Sequence, residues 1–120
     1  MKRAHKRLDV WRESMTLATD IYKLTELFPK SEIYGLTSQM RRAAVSVPSN
    51  IAEGAARYSD KEFSQFLNIA GGSLSELDTQ IEISLNLGYL TEDHRYKIDR
   101  RVSSISAKLA GLINKVRKRL

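Results

Sequence analysis

The side chains that could carry out chemistry are few and widely spaced in this sequence. The two histidines, His5 and His94, lie far apart, and neither has a partner at i+3 or i+4 that would put two metal ligands on one helix face. The serines at residues 46–49 and 73–75 have no histidine nearby to act as a base, and there is no cysteine. No phosphate loop of the GxGxxG or GxxxxGK[ST] type occurs. We therefore expect no metal, no cofactor and no nucleophilic catalysis.

Carboxylates are the remaining candidates for acid–base chemistry. Glu76 and Asp78 are two positions apart and point to different sides of a helix. Glu53 and Glu76 each flank an apolar stripe, so they could be half-buried and pair with Arg41 or Arg42. Such ion pairs would serve the specificity of packing or of assembly. A catalytic carboxylate pair is the alternative, and we favour a protein that binds rather than catalyses.

The basic residues are concentrated near both ends of the sequence. The net charge is +6 over 120 residues. Residues 1–7 hold four lysines and arginines and no acid, and residues 95–120 hold nine against Asp99 alone. The sequence between them is net negative. An acidic body with basic ends suits a polyanion, such as nucleic acid or an anionic membrane surface, and a solubilising tail is the alternative.

The elements that must position these charges are helical, because apolar residues recur at steps of three and four in four segments. The first helix is predicted from about residue 8 to residue 28, where Pro29 ends it. The second is predicted from an N-cap at Thr37 to about residue 58. Pro48 lies in its middle and should kink it, because proline removes a backbone hydrogen bond. A break into two helices at residues 46–49 is the alternative.

The third and fourth helices have clearer boundaries. Ser59 and Glu62 form a capping box that starts the third helix, and Gly88 is expected to end it. Thr91 is expected to cap the fourth helix, whose last turns are rich in cations. Four amphipathic helices with short connections predict a single all-α domain over residues 1–120, an antiparallel up-down-up-down four-helix bundle.

A pair of glycines lies inside the third helix. Gly71-Gly72 is predicted to let this helix pack closely against small residues of the second helix, at 43–44 and 54–56. A hinge is the alternative. Packing is favoured because the apolar stripe continues on both sides without a change of register.

The predicted topology brings the two basic ends of the sequence together. In an up-down-up-down bundle, the first helix starts and the fourth helix ends at the same end of the molecule, so their cations would form one patch. Five cations of the fourth helix also share one outer stripe, since steps of four and seven return to one face. They are Lys97, Arg101, Lys108, Lys115 and Lys118. The candidate nucleic-acid-binding residues are Lys2, Arg3, Lys6, Arg7, Lys97, Arg101, Lys108, Lys115, Arg117, Lys118 and Arg119.

Two stretches of the sequence carry a family resemblance. Residues 36–54 read LTSQMRRAAVSVPSNIAEG, and residues 63–77 read FSQFLNIAGGSLSEL. Together with LDVWRES and LNLGYL they resemble the four-helix bundle proteins encoded within intervening sequences of bacterial 23S ribosomal RNA genes, over about residues 8–115. The resemblance implies bundles assembled as rings, commonly homopentamers, and no catalytic residues. The matching stretches contain residues that we interpret as a structural or assembly network: Arg41, Arg42, Asn50, Glu53 and Glu76.

A related branch of this family comprises the accessory variability proteins of diversity-generating retroelements. The resemblance implies that those are basic pentameric bundles that bind a reverse transcriptase and nucleic acid. The run VPSNIAEG favours the ribosomal RNA gene branch for this sequence. The leading hypothesis is a non-enzymatic, oligomeric protein that binds structured RNA, with ribosomal RNA as the expected ligand. A protein-interaction scaffold that recruits a nucleic-acid enzyme, such as a reverse transcriptase, is the alternative.

Apolar residues outside the main stripes predict self-association. They are numerous for a monomer and could line interfaces: Leu17, Leu24, Ile33, Ile69, Ile83 and Leu87. Residues 8–20 are amphipathic, and no apolar run approaches the roughly 18–20 residues of a membrane span. We therefore expect a cytoplasmic protein that has no signal peptide and does not bind a membrane.

Overall fold

The computed structural model describes residues 3–120, so the prediction made for Lys2 lies outside the described residues. It contains four α-helices: α1 (Asp9–Thr25), α2 (Leu36–Ala55), α3 (Asp60–Asn86) and α4 (Glu92–Arg117). A short 3-10 helix at Ala4–Arg7 precedes α1, and we call it the N-terminal turn. A second one, at Lys30–Glu32, precedes α2. No strand occurs within residues 3–120, and the all-α class is confirmed.

Helices that follow one another in the chain run antiparallel. Between α1 and α2, Arg41 Nε donates to Thr25 Oγ1 at 2.9 Å, so the start of α2 lies beside the end of α1. Between α3 and α4, Arg95 Nη2 donates to Glu82 Oε1 at 2.7 Å, which places the start of α4 beside the end of α3. The predicted short connections therefore produce the expected reversals of direction.

The bundle closes between α1 and α4. Lys108 Nζ donates to Glu13 Oε2 at 2.7 Å, and Arg101 Nε lies 3.8 Å from Asp20 Oδ2, so these helices are also antiparallel. The antiparallel four-helix bundle is confirmed, with Cα extents of 45 × 22 × 22 Å. We call the end where α1 starts and α4 ends the terminal end, and the opposite end the loop end.

The second helix is continuous, as predicted, but it starts differently from its prediction. It is continuous from Leu36 to Ala55 with Pro48 buried inside it, so the alternative of a break at residues 46–49 is wrong, and the kink stays a prediction. Thr37 is not the N-cap: Gly35 holds that position, and Glu32 Oε1 accepts a hydrogen bond from Leu36 N at 3.1 Å. The cap is thus supplied from the preceding connection.

The predicted starts of α3 and α4 are confirmed. Ser59 Oγ accepts from Glu62 N at 3.2 Å, and Thr91 Oγ1 accepts from His94 N at 3.1 Å. Gly88 follows the last turn of α3 with φ +76°, a left-handed conformation that favours glycine. The predicted end of α1 was three residues late, since the helix ends at Thr25.

The inward faces of all four helices form the core. The apolar stripe predicted for α1 includes Met15 and Tyr22, and this is wrong for both, since they are 44% and 45% exposed. Leu17 and Leu24, which we expected at interfaces, are only 0% and 8% exposed, so that prediction is wrong for them. The four remaining candidates are exposed: Ile33, Ile69, Ile83 and Leu87.

Helix α2 packs tightly against α3 at Gly54. A Cβ added there would lie 2.8 Å from Phe66 Cβ and 2.9 Å from Phe63 Cδ1. The expected packing of Gly71-Gly72 against α2 is wrong: a Cβ on Gly71 would lie 3.7 Å from Leu109 of α4, and one on Gly72 would meet nothing within 4 Å. Gly54 of α2, rather than Gly71-Gly72 of α3, therefore makes the close contact between these two helices.

None of the helices in the described part of the chain is both long enough and apolar enough to cross a lipid bilayer.

Candidate nucleic-acid interface

Exposed cations collect at the terminal end of the bundle. The N-terminal turn packs against α1 and α2, and Arg3, Lys6 and Arg7 remain exposed on that side. The last turns of α4 expose Lys115, Arg117 and Lys118. None of these side chains forms an ion pair within residues 3–120. Both sets therefore lie at one end of a bundle that is 22 Å wide.

Two side-chain contacts hold the N-terminal turn in place. The His5 ring lies edge-on to Trp11, with 4.9 Å between ring centroids. Arg12 Nη1 donates to the carbonyl oxygen of Lys6 at 2.7 Å, and its other nitrogen contacts Asp9. Trp11 and Arg12 both belong to α1, so these contacts hold the basic N-terminal turn against the bundle.

Arg119 is engaged by a carboxylate at the same end. Its Nη2 and Nε donate to the two oxygens of Asp60, at 3.0 Å and 3.2 Å. This bidentate pair joins the end of α4 to the start of α3. The structure therefore gives Arg119 an anchoring contact and leaves it less available for phosphate than its neighbours.

The predicted stripe on α4 lies along the seam with α1, and acids balance much of it. Lys108 pairs with Glu13 at 2.7 Å, and Arg101 lies 3.8 Å from Asp20. Lys97 pairs with Asp93 on its own helix at 3.2 Å. The stripe is not a continuous line of unpaired cations. We therefore restrict the candidate interface to the cations of the terminal end.

Glu13 has an unusual environment for a carboxylate on α1. Its burial alone would raise its pKa, but hydrogen bonds from Lys108 and Ser104 and the charges of Lys108 and Arg101 together hold the pKa below its ordinary value. Glu13 is therefore charged at neutral pH and holds Lys108 at the seam.

The structure adds one cation that the sequence argument missed. Lys61 lies in the first turn of α3, exposed and without an ion pair in the described part of the chain. Its neighbour Asp60 is the partner of Arg119, so Lys61 lies at the terminal end. The predicted up-down-up-down topology also places Lys61 there, because α3 starts at the terminal end.

The expected network around Arg41 forms with other partners. Arg41 Nη2 donates to Glu26 Oε1 at 3.1 Å and to the Tyr22 carbonyl oxygen at 3.3 Å, and its guanidinium lies 4.7 Å from the Tyr22 ring centroid. Arg42 is exposed. Arg41 thus joins α2 to the end of α1 through cation–π and hydrogen-bond contacts.

The expected pairing of Glu53 and Glu76 with the arginines is wrong within the chain. Both glutamates are exposed: Glu53 pairs with Arg57 at 3.2 Å, and Glu76 accepts from Gln80 Nε2 at 3.3 Å. Each finds its partner one turn away on its own helix.

Asn50 forms part of a polar contact between α2 and α3. Its Nδ2 donates to the carbonyl oxygen and to Oγ of Ser46, at 2.8 Å and 2.9 Å. Ser46 Oγ in turn lies 2.8 Å from Ser73 Oγ on α3. Sequence reasoning placed Asn50 in a structural network but missed the serine pair, because neither serine stands out from its stripe.

Neither the histidines nor the carboxylates gather into a metal site in the part of the chain that the structure describes: no group of three or more has the required proximity. His94 instead takes part in the α4 cap, where its Nδ1 accepts from Thr91 N at 3.4 Å.

Comparisons with known proteins agree with this architecture. A search of curated proteins gave no match. A crystal structure of a protein of unknown function from the S23 ribosomal protein family of Bacteroides thetaiotaomicron superposes with a TM-score of 0.81 and 24% identity, over 88% of this chain and 95% of that chain. At that identity the likeness establishes the fold alone. A family model described as 23S rRNA-intervening sequence protein matches residues 6–111. The chain therefore belongs to the 23S rRNA-intervening sequence protein family.

Proposed function

We propose that this protein is a non-enzymatic, oligomeric RNA-binding protein that contacts structured RNA through the cations of its terminal end. The observation that carries the proposal is the placement of Arg3, Lys6 and Arg7 at the same end as the last turns of α4, with no carboxylate paired to them in the described chain. Such side chains bind phosphates without reading sequence. The family name links these proteins to ribosomal RNA genes, which makes ribosomal RNA the favoured ligand class.

The loop end has a different chemistry. Large apolar and aromatic side chains are exposed there on the connections between helices: Leu27, Ile33, Tyr34 and Leu87. Carboxylates lie among them, including Glu26 and Glu92. A paired RNA stem is therefore attracted most strongly to the terminal end.

A gel-shift titration tests the proposal with a ribosomal RNA hairpin at increasing salt concentrations. The wild-type protein should bind, and its affinity should fall steeply with salt. The Arg117→Glu, Lys118→Glu double variant should weaken binding and reduce the salt slope by about one unit for each phosphate that is no longer bound. The matched control is Lys30→Glu with Arg42→Glu, two exposed cations away from the terminal end, which should leave the slope nearly unchanged. Undetectable binding at low salt, or equal effects of the two double variants, contradicts the proposal.

Self-association is part of the same proposal. Trp11, Met15 and Tyr22 of α1 form an apolar groove with Val45 and Pro48 of α2, with a volume of about 560 Å³. On α3, which is not a neighbour of α1 in the bundle, exposed Ile69 and Ile83 lie two heptads apart on one face. Two different surfaces that meet between copies give a head-to-tail interface, which forms a ring when the rotation between successive copies closes. The pentamer that the family resemblance implies is the favoured ring.

A protein-interaction scaffold is the second candidate function. The apolar side chains exposed at the loop end favour it, since such side chains are suited to contact a protein surface. A nucleic-acid enzyme such as a reverse transcriptase is the partner class to test. A pull-down that retains a protein after nuclease treatment, and loses it on Tyr34→Ala with Leu87→Ser, supports this candidate.

A further inference from the structure

A groove opens along the α1–α4 seam toward the loop end. Its volume is about 880 Å³, within the range of ligand-binding clefts. Leu24 and Ile98 lie in its floor and are buried, whereas Leu27 and Tyr96 line it with exposed side chains. The groove has no role in the interface described at the terminal end.

Positive charge in this groove exceeds what its carboxylates balance. Asp20 lies against Arg101, and Asp93 pairs with Lys97. Glu13 is balanced by Lys108. This leaves Lys23 on α1 and Arg100 on α4, both exposed, lining the groove and without an ion pair among residues 3–120. An anionic ligand would find one unbalanced cation on each helix.

An exposed aromatic ring lines the same groove. Tyr96 is 61% exposed and lines the groove. The Arg100 guanidinium lies 5.9 Å from the Tyr96 ring centroid. Unpaired bases stack on tyrosine rings and on arginine planes, whereas their phosphates bind lysine and arginine.

We infer that this groove binds a short single-stranded segment of RNA, with one unpaired base stacked on Tyr96 and the flanking phosphates on Lys23 and Arg100. The inference rests on the proposed function and deepens it, because it assigns single-stranded RNA to a second surface. From Tyr96 to Arg117 the helix rises about 30 Å. A folded RNA with a paired stem and a single-stranded loop could therefore contact both surfaces at once.

The aromatic ring distinguishes this ligand from an acidic peptide. A peptide carboxylate would use the same two cations, but it would gain little from an exposed ring. A base gains its stacking energy from that ring. Dependence of binding on the ring, rather than on charge alone, is therefore the property to measure.

The probe is an unstructured RNA hexanucleotide that carries one 2-aminopurine, titrated with the full-length protein at low salt. Tyr96→Ala should weaken binding about tenfold and abolish the fluorescence quenching that accompanies stacking. Tyr96→Phe should retain both affinity and quenching, because it keeps the ring. The matched control is Tyr34→Ala, which removes an exposed tyrosine that does not line the groove.

A second comparison separates this inference from the proposed function. The Arg117→Glu, Lys118→Glu variant should bind the hexanucleotide normally and lose affinity for a fully paired RNA stem, whereas Tyr96→Ala should lose affinity for the hexanucleotide and bind the stem normally. Equal affinity and quenching for wild type and Tyr96→Ala, or equal losses for Tyr96→Ala and Tyr34→Ala, overturn the groove assignment. Displacement of the hexanucleotide by a poly-glutamate peptide at equal charge concentration also overturns it, since that result identifies a site for acidic peptides.

Discussion

Lys108 of α4 reaches across the seam that closes the bundle and donates to Glu13 of α1 at 2.7 Å. The Glu13 side chain is only 13% exposed, so this contact is partly shielded from solvent. Together with the contact between Arg101 and Asp20, it balances the middle of α4 with acids from α1. Carboxylates of α1 thereby neutralise the cations in the middle of α4. The cations that remain unpaired are concentrated at the terminal end.

Glu13→Gln should destabilise the protein at neutral pH. The substitution removes a shielded charge partner of Lys108 and should lower the free energy of unfolding by about 1 kcal/mol. The pKa of Glu13 is lowered in the folded state, so its contribution is present above the ordinary value of 4.5 and is lost as the pH falls through the lowered pKa. Urea unfolding at pH 7 and at pH 3 should therefore show a difference from wild type that shrinks in acid. A constant difference would contradict this account of the seam.

Asp78→Asn should have the opposite effect. Burial of Asp78, together with the charges of Asp99 and Glu82, raises its pKa, and Arg95 only partly offsets this. The ionised carboxylate therefore costs stability at neutral pH, and its removal should raise the free energy of unfolding by up to about 1 kcal/mol. The gain should shrink as the pH falls through the raised pKa toward the ordinary value of 3.8, because wild-type Asp78 then becomes neutral in the folded state. Thermal unfolding at pH 7 and pH 4 measures both effects, and Glu76→Gln is an exposed control on the same helix.

Gly54→Ala should destabilise the bundle, because its Cβ would lie 2.8 Å from Phe66 Cβ. Overpacking of this kind costs about 1–3 kcal/mol. Gly72→Ala is the matched control: its Cβ meets nothing within 4 Å, so the fold should gain up to about 1 kcal/mol from helix propensity. Urea unfolding midpoints should therefore be lower than wild type for Gly54→Ala and slightly higher for Gly72→Ala. Similar midpoints would show that α2 and α3 are less closely packed at Gly54.

Ile69→Lys should disrupt self-association without unfolding the protomer, because the side chain is exposed on α3. A lysine there would bury a charge at the proposed interface between copies. Leu27→Lys is the control, an exposed leucine at the loop end. Light scattering after size-exclusion chromatography should report an oligomer for wild type and for the control, and a smaller species for Ile69→Lys. A stable wild-type monomer of 13.6 kDa at micromolar concentration contradicts the oligomer.

Local signals in the sequence predicted much of the fold. The starts of α3 and α4 follow from Ser59 and Thr91, whose side chains cap residues three positions ahead. The start of α2 was missed because its acceptor comes from Glu32 in the preceding connection, which Tyr89 Oη also holds by donating at 2.8 Å. The second contact joins residues 57 positions apart, and no periodicity in the sequence indicates it.

The candidate site was predictable only in part for a similar reason. Topology indicated that the cations of both chain ends share one end of the bundle. Helical spacing gave the face of α4 that carries Lys108, but not which carboxylate of α1 stands opposite. Glu13 lies 95 positions from Lys108, so its identity depends on the rotation of each helix about its axis. Packing of the whole core sets that rotation.

Lysine footprinting on a fully paired RNA stem tests the central claim most directly. The protein is treated with an amine-acylating reagent with and without the RNA at low salt, and the modified lysines are identified by mass spectrometry. The account predicts protection of Lys6, Lys115 and Lys118, while Lys30 near the loop end stays reactive. Protection of Lys30 as strong as that of the terminal-end lysines, or no protection at either end, would contradict it.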